Sequence, residues 1–447
     1  RRVVKTAVEC EFQLADQNWN EEFTTTPVYK DGILIPSQNE KEASNINLDW
    51  RKKVVFYAEL EPSQMNRFDC RIEIVPKKPE IALKEKDGYI SFKTNDMFVE
   101  INTKTGLIDN YIVNGYNYCL KDTFKPVVIH DNEDPWGMTV TSYTNTIDEF
   151  KLMSPEKSAK HCGVKANSLP SVRVVEDGAA RSIVEALFEY NNSTLYMKYI
   201  LPKFGTEIEI QQTVFWQEKD KMLKLQIPLR KSFNKYIGQV AYGFEELKNN
   251  GDECVSQKWA AVVSEDNNKA ITIINDCMYG SDFSENGLRI SLLRSPAYSA
   301  HPIHDRDLIP QNRYTPRIDQ GERKFRFWFN AGDINERLTA IDREALAHNE
   351  KPFALSFFPS GLGKKAQQFI KLSDDAVNIT TIKKAENDNN LIVRLFEPTG
   401  NARKTTISLP FCNIEKETEL SAFEIKTLKV DITSKTITEV NLLEEDI

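Results

Sequence analysis

FVEINTKTGLIDNYIVNGYNY, residues 98–118, decides the fold. It reads as a strand, a turn at Thr105-Gly106, a second strand, and a hairpin turn at Asn114-Gly115. Asn-Gly is the strongest two-residue hairpin signal, because both central positions need positive φ. Connections this short hold no crossover helix, so the strands must pair antiparallel.

The same signature recurs outward from that stretch. KVVFYAEL (53–60) places Val54, Phe56, Ala58 and Leu60 on one face, and TEIEIQQTVF (206–215) sets Ile208 and Ile210 opposite Glu207 and Glu209. FRFWF (325–329), LIVRLF (391–396) and KTTISLP (404–410) are β-branched or aromatic runs of strand length. One segment reads as helix, DINERLTAIDREALAHNEK (333–351), with a stripe of Leu338, Ile341, Ala345 and Leu346. Asp333 is its expected N-cap and Pro352 its stop. Its acids, Asp333, Glu336, Asp342 and Glu344, read as a solvated face. So many strands beside so little helix predict an all-β protein built of sandwiches.

Breaks in the pattern set the organisation. VPKKPEIALKEKDG (75–88) is rich in Pro and Lys and reads as a linker. The expectation is a small β-sandwich over 1–77, one large double-sheet domain over 78–343, and a C-terminal β-sandwich over 344–447. The chain begins RRVVKTAVEC, without an initiator Met or an apolar leader, and Val3, Val4 and Val8 start a strand at once. That predicts a piece of something longer.

The 447 residues carry a net charge of −8 with cations and anions interspersed, and no basic stripe. Phosphate backbones are bound by clustered cations, so nucleic acid is excluded as main partner. No apolar run approaches the roughly 20 residues of a membrane span. Seven cysteines lie scattered from Cys10 to Cys412 without a CxxC, which fits free thiols in a reducing compartment. Asn192-Ser-Thr and Asn378-Ile-Thr match the glycosylation tripeptide, a pattern frequent by chance.

Two constellations carry candidate chemistry. SLLRSPAYSAHPIHDRD (291–307) gathers His301, His304, Asp305 and Asp307 in a chain with five histidines. These are metal-ligand types. Pro302, however, biases His301 toward extended backbone, where residues three apart diverge, so the segment reads as a polar surface loop. HDNEDPWGM (130–138) sets Asp131, Glu133 and Asp134 beside Trp136 in a stretch that Pro135 and Gly137 keep irregular. Carboxylates next to an indole suit sugars, which stack on the ring and donate hydroxyls to the acids. The alternative is an acidic turn whose Trp plugs the core. No GxSxG, HExxH, GxGxxG or P-loop is present.

Read together, TVFWQEKDKMLKLQIPL (213–229), QKWAAVV (257–263), INDCMYGSD (274–282), LRISLLRSPAYS (288–299), DQGERKFRFWF (319–329) and LIVRLFEPTGN (391–401) resemble the C-terminal β region of glycoside hydrolase family 38, the α-mannosidases. RKKVVFYAELEP (51–62) is similar to the strand closing the sandwich before that region. The likeness covers nearly the whole chain. One departure is Arg323, where the family often has His.

The resemblance implies a large middle domain of galactose-mutarotase-like supersandwich fold. It also implies that an N-terminal catalytic domain, with its two-His, two-Asp site for zinc or another divalent metal and its aspartate nucleophile, lies outside these residues. No metal or catalytic residue is then expected here, and this chain alone should be inactive. The HDNEDPWGM loop would edge the active-site cleft, followed by Arg294 and Tyr298. Losing the catalytic domain should leave an apolar patch. Partners would be that domain and a mannose-containing oligosaccharide or glycoside, in a cytoplasmic, bacterial setting, with a homodimer compatible. Alternatives are a mannosylglycerate hydrolase fragment, a stand-alone aldose-epimerase-like enzyme, and a carbohydrate-binding module.

Overall fold

The decisive stretch forms Met97–Asn102, Ile108–Val113 and Tyr116–Asn117, paired antiparallel in sequence order. Asn114 and Gly115 both take positive φ, 49° and 76°, as a two-residue hairpin turn of that kind requires. The computed structural model describes residues 3–13, 22–42, 51–131, 140–296, 312, 314, 316–357 and 366–447.

The fold is all-β. Two large antiparallel sheets face each other over the main core. One has six strands, in the spatial order Thr146–Glu149, Lys125–His130, Lys221–Ile227, Gly287–Arg294, Gly280–Ser284, Cys254–Val255. The other has ten strands and includes Arg181–Tyr190, Ser193–Pro202, Ile208–Trp216 and Gly321–Gly332. Leu223, Leu225, Ile227, Leu288 and Ile290 from the first meet Ile208, Ile210, Val214, Phe327 and Phe329 from the second. Each such side chain contributes about 1.5–3 kcal/mol by leaving water. The Ile208/Glu209 alternation read from the sequence is the alternation between this core and the back of the sheet.

Helix α1, Pro155–His161, was not foreseen, although Ser154 caps it and Pro155 opens it. Helix α2, Ile334–Asn349, covers Trp259, Ile274 and Trp328 on the back of the ten-stranded sheet with Ile341 and Ala345. Asp333 stands at its N-cap position, but its carboxylate pairs with Lys269 Nζ at 2.6 Å and caps no amide. The solvated-face reading fails at Asp342. This residue is buried and accepts from Gln239 Nε2 (2.6 Å), Trp259 Nε1 (3.4 Å) and Asn378 Nδ2 (2.6 Å). The reason is that α2 is covered on two sides, by the sheet and by the Asn378–Lys384 strand of the C-terminal sandwich. Asn378, the second glycosylation candidate, is thereby buried and bonded.

The small sandwich builds its core from Val8, Cys10, Val28, Val54, Phe56 and Ala58, the face predicted for 53–60. It meets the large domain at Arg181. That guanidinium donates to Glu40 through Nε (2.7 Å) and Nη2 (2.6 Å), and to Glu9 through Nη2 (2.7 Å). The C-terminal sandwich packs a three-stranded against a four-stranded sheet over Ile379, Val393, Leu395, Ile407, Leu409 and Leu428. In its EPTGN turn the fully buried Glu397 accepts the backbone N–H of Thr399, Gly400, Asn401 and Phe423 and the Arg403 Nε. Phe423, so held, packs edge-on against Phe244 of the large domain, 5.4 Å between ring centres. All seven cysteines are free thiols, and among the described residues no helix is long and apolar enough to cross a membrane.

Candidate functional site

The outer face of the six-stranded sheet is where polar side chains converge. In KMLKLQI (221–227), alternation sends Leu223, Leu225 and Ile227 to the core and Met222, Lys224 and Gln226 outward. On the neighbouring strand Arg289 lies opposite Gln226 and Ser291 opposite Lys224, so both share that outer face. The register then shifts. Leu293 pairs with Leu223 and Arg294 with Met222, so one extra residue at Leu292 restarts the alternation. Without the bulge Arg294 would point into the core.

Three of these polar side chains are buried outright. Lys224 Nζ lies 2.5 Å from both Asp282 Oδ2 and Glu253 Oε2. Arg289 donates Nε and Nη2 to Asp282 Oδ1 at 2.9 and 2.7 Å. Ser291 Oγ donates to Glu253 Oε1. Lys224, Asp282 and Arg289 have side-chain exposures of 0, 0 and 1%, while Glu253 keeps 19%.

Glu253 and Ser291 open on a cavity of about 430 Å³, a size within the roughly 300–1,000 Å³ range of small-ligand sites. Val140, Tyr143, Met222 and Arg294 complete much of its lining. The Arg294 guanidinium lies 4.6 Å from the Tyr143 ring centre and Lys224 Nζ 5.8 Å from it. Fixed hydrogen-bond donors and acceptors around such a space recognise hydroxyl-rich ligands by geometry.

Two of the sequence-predicted residues meet here. Arg294 Nη2 and Nε donate to Asp131 at 2.7 and 3.1 Å, and the Asp131 side chain has no exposure. The strands ending at His130 and Arg294 flank the strand that begins at Lys221, so both candidate loops spring from one edge of the sheet. Arg317 donates Nε to Asp220 at 2.8 Å on the same edge. Glu133, Asp134, Trp136 and Tyr298 lie outside the described residues, as do His301, His304, Asp305 and Asp307. Among the described residues no group of three or more His, Cys, Asp or Glu is placed to hold a metal ion. Arg323 pairs with Asp319 at 3.6 Å.

Sequence reasoning missed Tyr143, Lys224, Glu253 and Ser291. A signal was present in the lysine at the centre of MLKLQI, an apolar strand with no local counter-charge.

Residues 95–310 match the model of the glycosyl hydrolases family 38 C-terminal domain, and residues 376–447 that of the family 38 C-terminal beta sandwich domain. The chain is similar to alpha-mannosidase G of Dictyostelium discoideum, 23% identical over 288 residues, covering 58% of this chain and 25% of that one. It is similar to an alpha-mannosidase of Saccharomyces cerevisiae, 22% identical over 379 residues, covering 77% and 32%. In structure it resembles an alpha-mannosidase from Enterococcus faecalis V583, at a TM-score of 0.66 and 12% identity, covering 96% of this chain and 55% of that one. The chain thus spans a quarter to a third of the length of these curated relatives.

Proposed function

The chain belongs to glycoside hydrolase family 38, whose C-terminal region it forms, and from that premise we propose that it is the β portion of an α-mannosidase acting on terminal α-mannosides. The observation that carries this reading is the cavity itself. It opens beside the sheet edge from which both candidate loops leave, with Arg294 on its wall.

In this reading the chain scaffolds and edges a cleft whose nucleophile and acid/base belong to an N-terminal catalytic domain. A retaining mechanism needs two carboxylates about 5 Å apart. That domain would also supply zinc or another divalent ion, for which the described residues here offer no donor set. Arg294 donates to a sugar hydroxyl, and Asp131, buried beneath it, orients the guanidinium. Glu133, Asp134, Trp136 and Tyr298, outside the described residues, remain the further substrate-edge candidates of this reading.

An exposed apolar segment supports a docking surface for that domain. Phe353, Leu355 and Phe357 alternate along one segment and are exposed, while the intervening Ala354 packs on the small-sandwich core and Ser356 donates to Glu11. Free thiols fit a cytoplasmic setting.

The test is Arg294→Met in the full-length enzyme. A lost hydrogen bond from a charged group is worth about 1.5–3 kcal/mol, so kcat/KM should fall by about one to two decades. The isolated 447-residue chain should not hydrolyse an aryl α-mannoside. Turnover by that chain alone, or an unchanged kcat/KM in the variant, refutes the reading.

A further inference from the structure

We propose that Glu253 is a sugar-binding residue of this cavity, accepting hydrogen bonds from adjacent hydroxyls of a pyranoside, and that Lys224 is the positioning residue that holds it; this rests on the reading above.

Lys224, Asp282 and Arg289 are buried and sum to a net charge of +1. Glu253 is the carboxylate that completes the balance, bonded directly to Lys224. Burying three charges is a poor way to gain stability, since apolar side chains of like volume usually serve as well or better. What the network does provide is a carboxylate fixed in direction by Lys224 and Ser291. Of the four side chains, Glu253 is the one that reaches the cavity.

Its remaining capacity is defined. An ionised carboxylate offers about four acceptor positions. Ser291 takes one on Oε1 and Lys224 one on Oε2. Each oxygen therefore keeps acceptor capacity, on the side chain's exposed part. Two adjacent oxygens that both accept, and cannot donate, suit two neighbouring hydroxyls on one ring. The backbone leaves room for this. A Cβ added at Gly280 would stand 2.8 Å from Glu253 Oε1, so glycine there gives the carboxylate its place.

The experiment uses the full-length protein, wild type, Glu253→Gln and the charge-balanced pair Lys224→Met/Glu253→Gln, with an aryl α-mannoside and its deoxy analogues. Glu253→Gln should raise KM at least about tenfold and leave kcat within about threefold. The double variant removes one charge of each sign, so a purely structural role would be repaired in it. The inference requires that KM stay high while the melting temperature recovers. One deoxy analogue should bind wild type as poorly as the parent sugar binds the variant. An active wild type with unchanged KM in Glu253→Gln, or with KM restored in the double variant, overturns this inference alone. A wild type inactive on every α-mannoside overturns the reading beneath it as well.

Discussion

Arg181→Met should detach the small sandwich from the large domain before anything else fails. The wild-type guanidinium is 5% exposed and the Glu40 carboxylate 2%. Removing the cation leaves that carboxylate buried with two of its bonds gone. Breaking a buried pair on one side costs about 3–5 kcal/mol. Lys53 Nζ remains 3.3 Å from Glu40 Oε2 and offsets part of the loss, which places the expected cost near the lower end, about 3 kcal/mol. That is roughly two decades in the unfolding equilibrium.

Urea titration reads the total, and hydrogen exchange locates it. Protection should fall along Val4–Gln13 and Arg51–Leu60 while the Ile208–Trp216 strand keeps its rate. Arg181→Met/Glu40→Met, which removes both charges, should be more stable than the single variant. A single-variant loss under about 1 kcal/mol would mean that Lys53 and Gln38 suffice for Glu40, and would refute the expectation. The junction also predicts acid sensitivity. Burial alone would raise the Glu9 carboxyl, but Arg181 and Lys53 outweigh it and hold it at about 2, against 4.5 for the free group. This contribution is fully present above pH 4.5 and is lost as pH falls toward 2. Because the Glu9 side chain is 39% exposed, solvent screening limits it to about 1 kcal/mol.

His348 gives the opposite pH dependence. Burial opposes its charge, but Glu207 Oε1 at 2.5 Å prevails and raises the ring above its ordinary value, so its stabilisation is complete below pH 6.5 and fades as pH rises through the folded value. His348→Gln should flatten the melting temperature between pH 6 and 9, and a profile as steep as wild type refutes this. Glu397→Gln turns one accepting oxygen into a donor facing backbone N–H groups, and should cost about 3 kcal/mol in urea, with protection lost first in the C-terminal sandwich. Gly287→Ala would set a Cβ 2.2 Å from the Ile227 carbonyl oxygen at φ of 86°, so it should lower stability by more than the ~1 kcal/mol of an ordinary strained turn, measured by thermal melting.

Local pattern carried the strands. Residues 391–396 and the two turns of 98–118 fall where alternation and turn chemistry put them, because those signals live within a few neighbours. The site was harder to read. Lys224 finds Glu253 and Asp282 at separations of 29 and 58 residues, and the Arg294 phase depends on a bulge that shows only in the pairing with Leu223. Asp342 misled for the same reason, since the polar side of a helix looks solvated until the units packed on it are known. The pairing of Asp131 with Arg294, 163 residues apart, was beyond any local rule, although both residues had been singled out on chemical grounds.

Asp342 has a mechanical consequence. Its two oxygens are shared among donors from the ten-stranded sheet and from the Asn378–Lys384 strand of the C-terminal sandwich, so one side chain ties the two units together. Swinging that sandwich outward would take the Asn378 donor from the carboxylate and open its buried seat. The two units should therefore drift together as one rigid block, and any flexing of the molecule has to take place elsewhere.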